Sequence, residues 1–364
     1  MFFNKQVQQI PIFFASDNNY APYLAVTLKS LLANASPDYF YKIHVLTSHI
    51  DSDYKDKINK VLTPNSSIEY ISLANQVAEI KDKFCLRDYY SLETYYRFFI
   101  ADLFPEYDKV IYLDCDLIIL GDISDLYYTN ISNYLVAAAH EQTFSQFPPF
   151  DRYPEGVLGV KLKNAFNAGM LLINAKMFRA YNIQQRFFNL MERFKFRVTQ
   201  DEDYLNVLCK DKVRYLNIGW NKMAFDFPGF DNVDLQIIHY NLAYKPWHYE
   251  NIMYEEYFWQ YAYQTDFYDF ILNQLKTYSD EQKAKDEREF ERLKNIAIED
   301  INDPYNYKKT MERENQRHYI RRGLSSIGHM PGIKSLCRFL TSQGYKILYE
   351  YTKRRERQNK TFSS

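Results

Sequence analysis

Two carboxylates, Asp114 and Asp116, interrupt an otherwise apolar, β-branched run, DKVIYLDCDLIIL, at residues 108–120. A strand covered on both faces reads as a near-continuous apolar run, so an ionised group inside it is costly unless a cation neutralises it. A divalent metal is the natural partner for such a pair. Side chains one residue apart point to opposite faces of a straight strand, so both carboxylates reach one ion only where the strand ends and the backbone turns. The pair therefore belongs at the carboxyl end of a strand, where open α/β sheets bind ligands. On this motif alone, two solvated aspartates ahead of a turn at Gly121 are the structural alternative.

The elements that must position the pair are legible upstream. Apolar, β-rich stretches at Ile10–Ala15, Ile43–Leu46, Ile68–Leu73 and Lys109–Leu120 alternate with helical spacing over Pro22–Leu32 and Asp51–Leu62. This alternation predicts βαβ units and a mostly parallel sheet. The loop Ser16-Asp17-Asn18-Asn19-Tyr20 then joins the first strand to the first helix, where a nucleotide meets polar side chains and free amides. It lacks the GxGxxG pattern of dinucleotide binders. Downstream, FNAGMLLINAKMF predicts a strand led by Asn167-Ala168-Gly169 and a helix through about Phe196. Gln200-Asp201-Glu202-Asp203 opens a further helix, with acidic residues where the macrodipole also favours them. Leu235–Tyr240 reads as a final strand carrying His239, followed by Lys245-Pro246-Trp247.

The composition is that of a folded globular chain, 46% apolar and 18% aromatic over 364 residues. Four scattered cysteines, Cys85, Cys115, Cys209 and Cys337, form no CxxC pair and no zinc spacing, which favours a reducing compartment. The amino-terminal apolar run is too short for a signal-peptide core, and no later run reaches membrane-spanning length. Cytoplasmic residence is the expectation. The net charge of −1 conceals an asymmetry, because residues 305–364 hold 14 Lys and Arg against 4 Asp and Glu, leaving −11 on residues 1–304. Residues 271–304 read as a charged helical linker between a body, 1–270, and a basic amphipathic tail, 305–364. After Pro331, Ile333, Leu336, Leu340, Leu348 and Tyr351 recur at helical spacing beside a basic rim. Such a helix lies on an anionic membrane surface, and the chain carries no recognisable nucleic-acid module.

Five motifs in order, FFASDNNYAPYL, TYYRFFIADLFP, YLDCDLIIL, FNAGMLLIN with QDEDYLN, and HYNLAYKPWHY, resemble the retaining glycosyltransferases of family 8 over roughly residues 10–250. The resemblance implies an α/β fold of the GT-A type, Rossmann-like, with a mostly parallel central sheet and a helical basic tail. It further implies transfer of galactose or glucose from a UDP-sugar to a saccharide, lipid-linked if the tail docks on the inner face of the membrane. Asp114, Asp116 and His239 match the ligands of Mn²⁺ or Mg²⁺. Ala15, Asp17, Asn19 and Tyr20 match uridine and ribose contacts, Arg97 the donor-sugar region, and Lys245 the diphosphate. Asn167, Gly169 and Asp201 match positions around the donor-sugar hydroxyls, and Glu202 the residue beneath the anomeric carbon. The expected catalytic set is thus Glu202, Asp201 and Arg97.

Two positions depart from the family pattern. Glu202 replaces a frequent Gln, and Leu242 stands where many members have the glycine of HxxGxxKPW. A carboxylate at 202 either stabilises an oxocarbenium-like sugar or attacks it, and front-face attack by the acceptor is the favoured route. Two other classes stay open at this point. One is a haloacid-dehalogenase-like phosphohydrolase, although Leu117-Ile118 follows the DxD here. The other is a degenerate sugar-nucleotide or membrane-binding module, against which the intact Asp114, Asp116 and His239 stand.

Overall fold

The computed structural model describes residues 7–77, 92–226 and 233–327. Cys85, Cys337 and the amphipathic segment after Pro331 lie outside the described residues. The chain divides into two compact units, 1–306 and 307–364. In the second, the described part is the helix Tyr307–Ile327. Among the described residues no helix is long and apolar enough to cross a membrane.

The first unit is built on a seven-stranded sheet. Its strands are β1 (Gln9–Ala15), β2 (Phe40–Thr47), β3 (Ser66–Ser72), β4 (Val110–Leu113), β6 (Val136–Ala138), β7 (Met170–Ile173) and β8 (Val213–Tyr215), in the order β3-β2-β1-β4-β7-β6-β8. All neighbours are parallel except the two pairs that involve β7. A smaller sheet, β5-β10-β9, is formed by β5 (Leu117–Ile119), β9 (Lys222–Met223) and β10 (Ile237–His239). The central strands are covered on both faces, and Ile10, Ile12, Phe13, Phe14, Val110, Ile111 and Leu113 are fully buried. Their continuous apolar runs follow from that burial.

The run Lys109–Leu120, expected as one strand, is two. β4 ends at Leu113, and the Asp114 amide extends its antiparallel ladder by donating to Gly169 O at 2.8 Å. The Asp116 carbonyl belongs to the other ladder, accepting from Tyr240 N at 3.0 Å, and the chain continues as β5 against β10. The backbone therefore changes sheets at Asp114-Cys115-Asp116, the turn that two convergent carboxylates require.

The helix Ala21–Ala33 holds this turn. It has Pro22 in its first turn, where the missing N–H costs nothing, and buries almost every residue. Thr27 Oγ1 sits 2.8 Å from the carbonyls of both Cys115 and Leu117, Ser30 Oγ accepts from Ile119 N at 3.0 Å, and Asn34 Nδ2 donates to Ile119 O at 3.0 Å. Two polar side chains within the helix and its C-cap asparagine thus satisfy the backbone of Cys115 and the short strand β5.

Further along, the helix expected through Phe196 is broken into Ala175–Ala180 and Ile183–Arg193, with Asn182 in the left-handed region at φ 51°. The helix Asp280–Asn302 starts with a capping box at Ser279 and Gln282 and lies within the first unit. Leu293, Ile296 and Ala297 are buried along it. It is packed on the body, whereas its charge density had suggested a solvated link.

Candidate active site

Asp114, Asp116 and His239 converge, with one ligand atom from each within 4.8 Å of the others. Asp114 Oδ1 is held by Arg97 at 2.9 Å and by the Tyr112 hydroxyl at 3.0 Å, while Oδ2 faces Gly169. His239 Nδ1 lies 3.0 Å from Asn221 Oδ1, and Nε2 lies 3.3 Å from Asp116 Oδ1. Asn221 Nδ2 donates to Asn167 Oδ1 at 2.8 Å, which turns the Asn221 carbonyl toward the imidazole. Nδ1 is then the protonated nitrogen and Nε2 keeps its lone pair for a metal.

These residues suit a divalent cation on three counts. Two carboxylates and one imidazole are ligands that manganese or magnesium accepts. Asp116 Oδ1, although buried, makes no hydrogen bond of proper geometry. A Cβ on Gly169 would stand 2.3 Å from His239 Cε1 and 2.9 Å from Asp114 Oδ2, so only glycine lets the backbone approach the cluster. Burial pushes the Asp116 carboxyl up, but Lys245 and His239 beside it outweigh that and hold it well below the usual carboxylate range.

The helix Asp201–Leu208 sends its first three carboxylates in three directions. Asp201 accepts from Thr94 Oγ1 at 2.9 Å and pairs with Arg97 Nε at 3.1 Å. Burial raises its pKa to about 6 despite Arg97. Glu202 Oε2 accepts from Asn167 Nδ2 and from Ala168 N, each at 2.9 Å. Burial and the nearby Glu141 carboxylate raise its pKa well above the ordinary value. Asp203 turns away and accepts from Tyr153, at 2.8 Å, and from Thr199. Asp201 and Glu202 are thus engaged by partners from other elements, whereas Asp203 also reaches back to the Thr199 backbone N–H ahead of the helix, a capping-type bond. Gln200, just before them, has φ 52° and ψ −110°, a strained conformation of the kind that clusters at functional turns.

Arg97 is a buried strut. It bridges Asp114 and Asp201, donates to the carbonyls of Thr94 and Ala168, and lies 4.2 Å over the Tyr112 ring. Burial alone would lower its pKa, but the two carboxylates hold it above the ordinary arginine value.

Of the nucleotide-loop residues, Ala15 and Tyr20 line the same cavity as the acids, together with Ser16. Asp17 and Asn19 do not line it; they shape the loop. Asp17 Oδ1 accepts from Tyr20 N at 2.9 Å, and Oδ2 accepts from Asn19 Nδ2 at 3.2 Å. At the opposite edge Lys245 is paired with Asp116 and with the Tyr240 carbonyl. Trp247 is buried and stacks on Tyr23 with centroids 3.8 Å apart, which anchors the KPW segment to the first helix. Leu242 takes φ 59°, the left-handed conformation that a glycine adopts without penalty. Cys115 is a small buried side chain, its Sγ 3.3 Å from Ala15 O.

The structure thus brings Asp114, Asp116, His239, Arg97, Asn167, Gly169, Asp201, Glu202, Lys245, Ala15 and Tyr20 to one cavity. Thr94 and Tyr112 stand in the motifs without an assigned role, and Glu141 and Asn221 lie outside the motifs altogether. Asn221 ends a short helical turn, Ile218–Asn221, and carried no periodic or spacing signal.

A family model described as Glycosyl transferase family 8 matches residues 11–251. A putative glycosyltransferase of Haemophilus influenzae is 31% identical over 216 residues, 59% of this chain and 63% of the relative. The lipopolysaccharide 1,3-galactosyltransferase of Salmonella typhimurium is 25% identical over 248 residues, 65% of this chain and 72% of the relative. The crystal structure of the galactosyltransferase LgtC with donor and acceptor sugar analogues matches with a TM-score of 0.58 at 26% identity, over 71% of this chain and 96% of that one. The architecture is accordingly of the GT-A type. The chain spans less than two thirds of the length of the Haemophilus relative.

Proposed function

Because the chain belongs to glycosyl transferase family 8, we propose that it moves a hexose, galactose or glucose, from a UDP-sugar to a saccharide acceptor with retention of anomeric configuration. The observation that carries this reading is a continuous hydrogen-bonded chain, Glu202 to Asn167 to Asn221 to His239, which links the carboxylate of the sugar end to the metal end of one cavity.

Asp114, Asp116 and His239 would hold Mn²⁺ or Mg²⁺. A divalent ion there supplies a fixed positive charge for the departing nucleoside diphosphate. Tyr20 and Ala15 form the nucleoside wall, and Lys245 brings a second positive charge beside Asp116. Arg97 acts by positioning, since it touches both Asp114 and Asp201 and fixes their separation. Asn167 and Asp201 face the donor-sugar hydroxyls. Glu202 lies beneath the reacting carbon, and its raised pKa with two donors on Oε2 disfavours a free carboxylate nucleophile. This supports front-face attack by the acceptor hydroxyl. The relation to a lipopolysaccharide galactosyltransferase and the basic carboxyl-terminal charge together support a lipid-linked acceptor at an anionic, inner membrane surface.

The test is UDP release from purified protein with Mn²⁺ against a panel of UDP- and other nucleotide-sugars, beside Asp116→Ala. Consumption of one UDP-hexose, lost with chelator and in the variant, is expected, and NMR of the product should show the donor's anomeric configuration. Release of phosphate from small phosphoesters without UDP-sugar dependence would favour the phosphohydrolase class instead.

A further inference from the structure

We propose that the helix Asp280–Asn302 is the acceptor-selecting wall of the cavity, with Phe290 and Glu289 receiving a pyranose ring of the acceptor. The inference rests on the transferase reading and names the surface that would choose its second substrate.

The helix lies beyond residue 251, where the family match ends. It nonetheless lines the same cavity as Asp114, His239 and Glu202, through Asp286, Glu289 and Phe290. One wall of the reaction chamber therefore comes from a part of the chain that the family model does not include. A donor site within the family match and a wall outside it would divide the labour of a transferase, the second surface being free to differ where the first is held.

The wall is rigidly seated. Asp286 is buried and accepts from the hydroxyls of Tyr249 and Tyr278, each at 2.7 Å, and Tyr249 follows shortly after Lys245 in the segment that closes the metal end. Phe290 packs edge-on against Phe147 and Phe150, with centroids 5.4 and 5.9 Å apart. Arg197 ties the far end to Asp300 and Glu299. Asp286, Phe290, Leu293 and Ala297 recur on one helical face, so a stripe that is apolar toward the core presents an aromatic ring and carboxylates at the cavity.

Those groups suit a sugar. Phe290 is the only aromatic residue in 280–302, and it is half-buried at the cavity rim in a helix otherwise dense in charge. The electron-rich face of an aromatic ring attracts the polarised C–H face of a pyranose, and a carboxylate beside it accepts from sugar hydroxyls more strongly than a neutral group would. Glu289 Oε2 accepts from Arg292 Nε at 2.6 Å, which orients the carboxylate at the rim. A few polar groups around an apolar contact are the usual make-up of a specific small-molecule subsite.

The probes are methyl β-D-galactopyranoside, methyl β-D-glucopyranoside and lactose, followed by saturation-transfer NMR on the full chain with UDP and Mg²⁺. Ring-proton saturation of at least one glycoside is expected in the wild type and should fall by about tenfold or more in Phe290→Ala, the loss of a well-packed binding contact. Glu289→Gln, a near-isosteric change on a partly exposed helical face, should lower it without disturbing the fold. The melting-temperature rise given by UDP with Mg²⁺ reads the donor end and folding separately, and should persist in both variants. Undiminished glycoside saturation in both variants, or none in a wild type that responds to UDP, would overturn the proposal and leave the transferase reading standing. A wild type that neither responds to UDP nor releases it from any UDP-sugar would overturn both.

Discussion

Asn221 Oδ1 stands 3.0 Å from Nδ1 of His239, and the amide of the same asparagine is spent on Asn167. One side chain therefore fixes the imidazole tautomer and connects it to the residue that holds Glu202. Outer partners of metal-ligating histidines typically account for about 10–100-fold in metal affinity. Asn221→Ala is expected to weaken Mn²⁺ binding within that range, read by calorimetry in the presence of UDP. An unchanged affinity would mean that His239 is oriented by packing alone.

Asp116 and Lys245 form a buried pair, and removing one partner of such a pair leaves an uncompensated charge. Asp116→Ala should cost about 3 kcal/mol in urea unfolding, over and above the loss of metal binding. Adding Lys245→Met to Asp116→Ala should recover much of that stability while metal binding stays lost. If the double variant is no more stable than the single one, the ammonium is not the source of the cost.

Glu202→Gln retains an oxygen able to accept from Asn167 and Ala168 but removes both the negative charge and the capacity to attack. Turnover is expected to fall by less than about tenfold, whereas loss of a covalent nucleophile costs far more. A drop of several orders of magnitude, with a glycosylated protein trapped in the wild type, would move the mechanism to a covalent intermediate.

Leu242 adopts a left-handed φ for which a Cβ carries a penalty of about 1–2 kcal/mol. Leu242→Val, branched at Cβ, should lower the melting temperature further, and Leu242→Gly should not lower it. Equal losses in both variants would show that the side chain's packing outweighs the backbone strain.

Asp203 is fully buried, and burial raises its pKa to about 7 against an ordinary value of 3.8, its bonds to Thr199 and Tyr153 opposing the shift only in part. Its contribution to stability is complete below about pH 4, where folded and unfolded chains both bind the proton. It is lost as pH rises toward and through about 7, by at most on the order of 4 kcal/mol. Asp203→Asn should flatten this segment of the curve in denaturant unfolding at pH 5, 6, 7 and 8. A variant that keeps the wild-type slope would place the titration elsewhere.

Much of the donor end was legible because its chemistry conflicts with its surroundings. Asp114 and Asp116 stand out as charges in an apolar run, and the requirement that they converge already implies the turn at which β4 gives way to β5. The change of sheet itself was not legible, since Leu117–Ile119 is as apolar and β-branched as Val110–Leu113 and no local signal says which partner strand it takes. Arg97 was identified by position as a donor-sugar contact, but its role as a strut depends on Thr94, Ala168 and Tyr112 converging from separate elements. The seat of the helix Asp280–Asn302 was present in the spacing of Asp286, Phe290, Leu293 and Ala297, and was obscured by the surrounding acids and bases.

The passage of the backbone from one sheet to the other between Asp114 and Asp116 has a mechanical corollary. Asp114 is hydrogen-bonded into the large sheet, while Asp116 and His239 belong to the small one, so a cation shared by all three would be a rivet between two layers that covalent chain joins here only at Cys115. The protein would then carry its metal-loading state in the cohesion of its two sheets. Slower amide exchange in β5 and β10 on addition of metal, with β2 and β3 unaffected, is the signature that such a rivet would leave.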